Sequence, residues 1–244
     1  MLREKKLLYY PYQLYKIFIY CPLLALSTAF FGSMTVILLF FVPPRIATSM
    51  GTAWSRFNSY ITPMFLKVKG RENIIPGQSY IVVANHQSQY DIFVIYGWLP
   101  LDFRWVMKIQ LRKIPFLGFA CYRLGHIFID RSNTQSALDS INAAKDRIKN
   151  GTSVLFFPEG TRSNDGKLKQ FKKGAFKLAI DMRLPVLPVS ISGTKNILPN
   201  KSAALFPGRA KLVINKPVSV EGYSNENIDD LISRVRDSLQ KGLE

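Results

Sequence analysis

The sequence predicts an α/β fold, in which a mostly parallel or mixed sheet is flanked by helices and preceded by an N-terminal helical, membrane-associated segment. From about residue 66 onward, short apolar runs alternate with helical stretches. This alternation is typical of a sheet that is covered on both faces. Before that point, residues 17–42 form an apolar run of 26 residues, which is long enough to cross a bilayer as a helix.

This N-terminal run contains no ionisable side chain other than Tyr20 and Cys21. Pro22 and Gly32 are expected to kink or break a helix here. The charged residues before the run are basic except for Glu4, and the basic ones are Arg3, Lys5, Lys6 and Lys16. Because positive charge favours the cytoplasmic side of a membrane, this bias predicts a cytoplasmic N-terminus.

A second helix is predicted after Pro43-Pro44. Its apolar residues recur at spacings of three and four, so that they form a stripe: Ile46, Met50, Trp54, Phe57, Ile61 and Phe65. The two helices fit either a single span, with the rest of the chain across the membrane, or a hairpin on one side of it. The remainder of the chain is basic, and its transfer across the membrane would oppose the tendency of positive charge to stay on the cytoplasmic side. This favours the hairpin. The sequence thus divides into membrane-anchoring helices at residues 1–65 and a second domain at residues 66–244.

Six apolar runs in the second domain have the length of buried strands, at residues 80–84, 103–107, 126–129, 154–157, 186–191 and 210–214. Helices are predicted between and after them. The clearest covers residues 133–149 and stops at Asn150-Gly151. Others cover residues 173–182 and, as a closing amphipathic helix, residues 228–243.

Three polar loops follow the first, third and fourth of these runs: NHQSQYD at residues 85–91, DRSN at 130–133 and PEGTRSNDG at 158–166. If the strands are parallel, all three loops emerge at one carboxyl edge of the sheet, where open α/β sheets bind their ligands. We therefore expect one site to contain His86, Asp91, Arg131, Glu159 and Arg162.

The first loop contains one of only two histidines in the chain. Ser88 and Asp91 have the spacing of a capping box before an apolar helix, which makes His86 an ordinary turn residue. The same turn directs Asp91 back toward the loop, where its carboxylate can orient the imidazole as a base. The two interpretations are compatible. Ser88 stays open as an acyl-enzyme nucleophile, although capping explains it more simply.

The third loop and the overall charge indicate an anionic ligand. Lys and Arg number 33 against 16 acidic residues, a formal net charge of +17, which suits nucleic acid, anionic lipid or a phosphorylated substrate. Gly160 allows a tight turn whose N–H groups face an anion or oxyanion, and Arg162 offers a planar fork for phosphate. Two cysteines and two histidines form no disulfide framework and no zinc site.

Four stretches, in order, carry a family resemblance. Residues 85–91 resemble the N-H-x-x-x-x-D motif of glycerolipid acyltransferases, and GHIFIDR at 125–131 is similar to their second motif. FPEGTRS at 157–163 resembles the third motif and VLPVS at 186–190, more loosely, the fourth. The resemblance covers residues 70–215, and the chain most resembles 1-acyl-sn-glycerol-3-phosphate acyltransferases, which make phosphatidic acid.

The resemblance implies roles for individual residues. His86 would deprotonate the sn-2 hydroxyl of lysophosphatidic acid, with Asp91 holding the imidazole. The residues implied to bind the glycerol phosphate are Lys108, Arg131, Glu159, Gly160, Thr161 and Arg162. The acyl donor would be the thioester of acyl-CoA or of acyl carrier protein, with no further cofactor and no metal. Membrane lipids are then the expected surroundings, and the catalytic domain is expected at the cytoplasmic face.

Two other functions remain open at this stage. The same motifs serve acyltransferases that act on glycerol-3-phosphate or on another lysophospholipid. A basic, membrane-tethered module that binds anionic lipid would explain the charge and the apolar segment, but it leaves the His86–Asp91 spacing without a purpose. No recognisable nucleic-acid-binding module is present in the sequence, and no nucleic-acid partner is expected.

Overall fold

The computed structural model describes residues 6–130, 132–148 and 150–244. It contains a seven-stranded sheet in the order β1-β7-β6-β2-β5-β3-β4. In chain order the strands are β1 (Met64–Lys69), β2 (Ile81–Ala84), β3 (Asp102–Lys108), β4 (Ile127–Ile129), β5 (Thr152–Phe156), β6 (Val186–Ser192) and β7 (Gly208–Ile214).

The sheet is mixed, as predicted, and mostly parallel. Strands β6, β2, β5, β3 and β4 all run in the same direction, while β7 is antiparallel to β6 and parallel to β1. The loops after β2, β4, β5 and β6 therefore leave the sheet at one edge. This is the edge at which the sequence predicts a site.

Ten α-helices surround the sheet in the described part of the chain. They are α1 (Lys6–Tyr15), α2 (Cys21–Leu38), α3 (Pro44–Ala47), α4 (Ser49–Ile61), α5 (Asp91–Trp98), α6 (Leu117–Arg123), α7 (Thr134–Asn142), α8 (Gly174–Met182), α9 (Thr194–Ile197) and α10 (Ile228–Leu243). Short 3-10 turns lie at Arg71–Asn73, Ile109–Lys113 and Lys145–Arg147.

Each face of the sheet has its own apolar core. On one face, α7, α8 and α10 bury Ile141, Phe176, Leu231 and Val235 against β4, β2 and β6. On the other face, α5 buries Val94 and other apolar residues in a second cluster that includes residues of β2 and β6. Because both faces are covered, the central strands β2 and β6 are apolar almost throughout.

The first helix of the chain is continuous but contains a π-helical turn. Between α1 and α2, residues Lys16–Tyr20 form this turn, and the N–H of Cys21 donates to the carbonyl of Lys16. Pro22 follows directly and has no N–H to donate. The π-helical turn thus lies just before Pro22, where an irregularity is predicted, whereas α2 continues through Gly32.

Helices α2 and α4 pack against each other as a hairpin. The indole N–H of Trp54 donates to the hydroxyl of Thr28 at 3.1 Å, and the amide of Asn58 donates to the hydroxyl of Ser27 at 3.2 Å. The helix from Tyr9 to Leu38 is long and apolar enough to cross a membrane, and only 17% of its most apolar window is buried. The contact between α2 and α4 fits the predicted hairpin, and both the choice between a hairpin and a single span and the role of a membrane anchor stay predictions.

Two predicted boundaries are wrong. The apolar stripe predicts helix as far as Phe65, but α4 ends at Ile61 and β1 begins at Met64, because Pro63 cannot continue a helix and disfavours helical backbone before it. The sheet therefore starts inside the range assigned to the anchor, residues 1–65. The helix predicted over residues 133–149 ends at Asn142 and is followed by the 3-10 turn Lys145–Arg147.

Candidate active site

Asn85 joins the carboxyl ends of β2 and β6. Ala84, the last residue of β2, is paired with Val189 of β6. One residue later, the side-chain amide of Asn85 donates to the carbonyl of Ile191 at 2.9 Å and accepts from the Ile191 N–H at 2.7 Å. The asparagine side chain therefore continues the pairing after the backbone has left the sheet. This contact fixes the position of the backbone from which His86 follows.

His86 and Asp91 form a hydrogen-bonded dyad. Nδ1 of His86 lies 2.8 Å from Oδ2 of Asp91, whose side chain is 0% exposed, whereas the imidazole is 14% exposed. The imidazole also stacks on the ring of Phe157, with the centroids 4.0 Å apart. A carboxylate at Nδ1 favours the tautomer that is protonated there, so Nε2 is the nitrogen able to accept a proton.

The turn before α5 is formed largely by Asp91. Its Oδ2 also accepts from the N–H groups of Gln87 at 2.6 Å and Ser88 at 2.9 Å, so the carboxylate reaches back over the loop as predicted. The hydroxyl of Ser88 accepts from the N–H of Tyr90 and donates to the carbonyl of Leu198 at 2.7 Å. These contacts give Ser88 a structural role in the turn.

Thr194 holds the second oxygen of Asp91. It is the first residue of α9, just beyond β6, and its hydroxyl donates to Oδ1 of Asp91 at 2.5 Å. Both residues are fully buried. A hydrogen bond to a buried charged group is short and strong, so Thr194 restrains the rotation of the carboxylate and keeps Oδ2 directed at His86.

Glu159 ties the loop after β5 to the loop after β2. Its Oε1 accepts from the N–H of His86 at 2.9 Å, and its Oε2 accepts from the N–H of Lys169 at 3.0 Å. The N–H of Ser163 donates in turn to the carbonyl of His86 at 2.8 Å. Burial raises the pKa of Glu159, and the two backbone donors oppose that shift. Glu159 thus braces the dyad loop, and its predicted contact with substrate stays a prediction.

The loop after β5 turns at Gly160, which has a φ of +71°. Its N–H donates to the carbonyl of Phe157 at 3.0 Å, so that N–H belongs to the turn. The ammonium group of Lys169 crosses the loop and donates to the hydroxyl of Thr161 at 3.2 Å and to the carbonyl of Arg162 at 2.8 Å. Lys169 therefore adds a cation directly beside the predicted residues.

A cavity of about 750 Å³ opens in front of the dyad. Polar and basic residues of the loops line one part of it: His86, Lys108, Gly160, Thr161, Arg162, Lys169, Asn200 and Lys201. Apolar residues of the strands and helices line another part: Trp54, Phe93, Tyr96, Trp105, Leu117 and Phe157. One ligand in this cavity can therefore contact the His86 imidazole, positively charged side chains and an apolar wall.

The predicted site residues that the structure describes are brought together. His86, Lys108, Gly160, Thr161 and Arg162 all line the cavity, and Asp91 and Glu159 lie behind it. Arg131 lies outside the described residues. Within residues 6–130, 132–148 and 150–244, no cluster of three His, Cys, Asp or Glu side chains could hold a metal ion.

The other histidine, His126, is structural. It is 3% exposed, and its Nδ1 accepts from the N–H of Trp105 at 3.3 Å. Burial, assisted by the nearby charge of Arg104, lowers the pKa of His126 to about 3. It is therefore neutral at physiological pH. Among the described residues that line the cavity, His126 is absent.

Sequence reasoning misses Thr194, Lys169, Asn200 and Lys201. Thr194 has a usable signal, because it follows a strand that ends at the same edge as β2. In the sequence, Lys169 is only one member of a basic run. Asn200 and Lys201 lie in the loop before β7, and no local pattern connects them with the dyad.

A comparison with protein families assigns the chain to one of them. The model of the family described as Acyltransferase matches residues 65–192, which is more than half of the chain. The chain therefore belongs to the acyltransferase family.

The similar proteins within that family share one name. A 1-acyl-sn-glycerol-3-phosphate acyltransferase of Chlamydomonas reinhardtii is 37% identical over 75% of this chain and 54% of its own length. The Saccharomyces cerevisiae protein of the same name is 37% identical over 71% of this chain and 58% of its own length. The chain thus spans little more than half the length of these curated relatives.

A solved structure matches almost the whole chain. The crystal structure of the 1-acyl-sn-glycerophosphate (LPA) acyltransferase PlsC from Thermotoga maritima has a TM-score of 0.77 and 31% sequence identity. The match covers 99% of this chain and 96% of that one. The likeness therefore includes the N-terminal helices as well as the sheet.

Proposed function

We propose that this chain transfers an acyl group from a thioester to the sn-2 hydroxyl of lysophosphatidic acid, which forms phosphatidic acid. The observation that carries the proposal is the His86–Asp91 dyad at a cavity that has both a basic and an apolar lining. Such a cavity suits a substrate with a phosphate and a long acyl chain. The names of the relatives support the same reaction.

In the proposed reaction, Nε2 of His86 accepts the proton of the substrate hydroxyl as its oxygen attacks the thioester carbonyl carbon. Asp91 stabilises the imidazolium that forms. When the tetrahedral intermediate collapses, the carbon–sulfur bond breaks and the thiolate leaves. His86 returns the proton to the thiolate, so the enzyme regains its starting state without an acyl-enzyme and without a cofactor.

The basic side of the cavity would hold the phosphate. Lys108 is the last residue of β3, and Arg162 and Lys169 come from the loop after β5. Arg162 presents a planar fork that suits phosphate geometry. Arg131 joins this group on the strength of the motif resemblance alone. The donor is proposed to be acyl-CoA or acyl carrier protein.

We also propose that the enzyme works at a membrane, with its catalytic domain at the cytoplasmic face. The apolar helix Tyr9–Leu38 and its sparse burial support a membrane location. Both substrates carry acyl chains that favour the bilayer, so an enzyme seated there need not transfer the chains through water.

The experiment is thiol release from acyl-CoA by the purified chain in lipid or detergent, with and without lysophosphatidic acid. We expect release that requires the acceptor and that is lost in His86→Ala. Arg162→Ala should raise the KM for lysophosphatidic acid, while the KM for acyl-CoA changes little. Ser88→Ala is the matched control for a serine nucleophile and should retain turnover.

Each alternative has its own outcome. Full activity in His86→Ala would remove the mechanism, and a burst of thiol release without acceptor that is lost in a folded Ser88→Ala would favour an acyl-enzyme. Release with glycerol-3-phosphate in place of lysophosphatidic acid would change the acceptor. Absence of release with both acyl-CoA and acyl carrier protein thioesters would favour the lipid-binding module.

A further inference from the structure

Helix α6 has two different faces. Leu117 and Cys121 line the cavity, and Ala120 and Leu124 are buried beside them. The opposite side of the helix presents Phe119 to the outside, with 53% of its surface exposed. A helix with apolar residues on both faces needs a second apolar surrounding besides the protein core.

The exposed apolar surface extends beyond one residue. Phe116 and Tyr122 are each 51% exposed, and Ile114 is 40% exposed. Phe119 and Tyr122 are spaced by three on α6, so they lie on one side of the helix, and Phe116 directly precedes it. Phe116 itself has a φ of +59°, which a phenylalanine rarely adopts. The backbone thus holds an aromatic ring outward in an unfavourable conformation. We name residues 112–123 the α6 surface.

Basic side chains accompany these rings. Arg112, Lys113 and Arg123 are exposed on the α6 surface. The guanidinium of Arg112 lies 4.3 Å from the ring centroid of Tyr122, and that of Arg123 lies 5.6 Å from the ring centroid of Phe40. Apolar rings bordered by cations are suited to the boundary between acyl chains and anionic headgroups.

The α6 surface is continuous with the apolar N-terminal helix. Gly32 of α2 lies against Phe116, so closely that an added Cβ would stand 3.1 Å from the Phe116 Cβ. Beyond the end of α2, Phe40 and Phe41 are 69% and 79% exposed. The exposed rings of α6 therefore extend an apolar region that α2 begins.

We propose that the α6 surface is a second lipid-contact surface, which belongs to the catalytic domain and inserts into an anionic leaflet beside the N-terminal hairpin. Its occupant is a phospholipid bilayer rather than another protein, because the surface continues that of a helix with bilayer-spanning composition. The charged residues in the sequence of residues 112–123 are all basic, which suits anionic headgroups. Since the inner side of α6 lines the cavity, insertion places one cavity wall at the membrane boundary.

The test uses a fluorescent probe at Phe119→Cys in the full chain, with Cys21→Ser to remove the exposed thiol. Cys121 can stay, because burial raises the pKa of its thiol to about 12 and slows its labelling. The matched control is Ile75→Cys, which replaces another exposed apolar residue, 60% exposed, in the loop before β2. Both labelled proteins are reconstituted in vesicles of phosphatidylcholine and phosphatidylglycerol that contain doxyl-labelled lipid.

We expect the doxyl lipid to quench the probe at position 119 severalfold more strongly than the probe at position 75. Equal quenching at the two positions would overturn the proposal. A shielded probe at position 119 that lipid does not quench would overturn it too, and would indicate contact with a second copy of the chain. This measurement does not depend on catalysis, so it stands even if the proposed reaction fails.

A second measurement uses activity. In the double variant Phe119→Ser, Tyr122→Ser, we expect the ratio of activity on vesicles to activity in mixed micelles to fall by about tenfold, since apolar contact with the bilayer is lost. Ile75→Ser should keep the wild-type ratio. An unchanged ratio in the double variant would contradict the proposal.

Discussion

At the scale of single residues, the dyad depends on a carboxylate that is held on both oxygens. Oδ2 of Asp91 bonds to His86 and to two backbone N–H groups, and Oδ1 bonds to Thr194. The backbone donors belong to the same loop, but Thr194 comes from 103 residues farther along the chain. The orientation of the His86 imidazole is therefore set partly by Thr194, which directly follows β6.

Replacement of Thr194 tests this positioning role. Thr194→Val nearly keeps the shape of the side chain, but it removes the hydrogen-bond donor of the buried Oδ1 of Asp91. We expect kcat to fall about tenfold to a hundredfold, which corresponds to roughly 1.5–3 kcal/mol for a hydrogen bond to a charged group. The KM for lysophosphatidic acid should change little. Thr194→Ser should restore most of kcat, and a wild-type kcat in the valine variant would refute the role.

How much of the site can be predicted depends on sequence distance. His86 and Asp91 lie in one short loop, so their spacing predicts the contact. The sequence places Glu159 at the correct edge, but its bonds to the N–H groups of His86 and Lys169 depend on how two loops meet. The sequence also places Thr194 at this edge, but its bond to Asp91 depends on the register of β6 against β2, which no local pattern contains.

At the scale of elements, apolar spacing alone does not determine the type of element that carries the residues. The spacing assigns Ala144 and Ile148 to one long helix, and both are buried, although α7 ends at Asn142 and a 3-10 turn follows. Phe65 continues the apolar stripe of α4, but it lies on β1 and is 68% exposed. Pro63 is the stronger signal there.

Helix α1 holds the loop that carries Asn200 and Lys201. The side-chain amide of Gln13 donates to the carbonyl of Leu205 at 2.8 Å and accepts from its N–H at 3.2 Å. Just beyond α1, Lys16 adds a bond to the carbonyl of Ala203 at 2.7 Å. An N-terminal helix thus positions part of the cavity lining.

Gln13→Ala should loosen this loop. We expect the KM for lysophosphatidic acid to rise about threefold to tenfold, because the loss of a pair of hydrogen bonds costs roughly 1 kcal/mol or more. The kcat should change less, since the dyad is not touched. Gln13→Glu keeps the acceptor for the Leu205 N–H, so its KM for lysophosphatidic acid should lie between those of the wild type and of the alanine variant. An unaltered KM in the alanine variant would show that the loop is held by other contacts.

At the scale of the whole molecule, His126 links stability to pH. Its pKa is about 3 in the folded chain and 6.5 for an ordinary histidine, so the unfolded chain binds a proton that the folded chain does not. This stabilising effect is complete above pH 6.5 and is lost as the pH falls toward 3, by at most about 1.4 kcal/mol per pH unit.

Thermal unfolding of wild type and His126→Gln between about pH 7 and pH 5 measures this contribution. We expect the melting temperature of the wild type to fall more steeply with acid than that of the variant, even if the variant is less stable at neutral pH. Parallel curves would contradict a neutral, buried His126. The raised pKa of Glu159 has the opposite effect, because it favours the folded chain at acid pH. Both proteins contain Glu159, so this effect cancels in the difference between their curves.

The contact between Gln13 and Leu205 has a consequence for biosynthesis. The two residues are 192 positions apart, and ribosomes add about 5–20 residues per second. A nascent chain therefore waits roughly ten to forty seconds between the emergence of its first helix and the arrival of the loop which that helix holds. During this interval the apolar helix is already made while the cavity is still incomplete, so that the proposed insertion of the helix into a membrane would precede the ability to bind substrate.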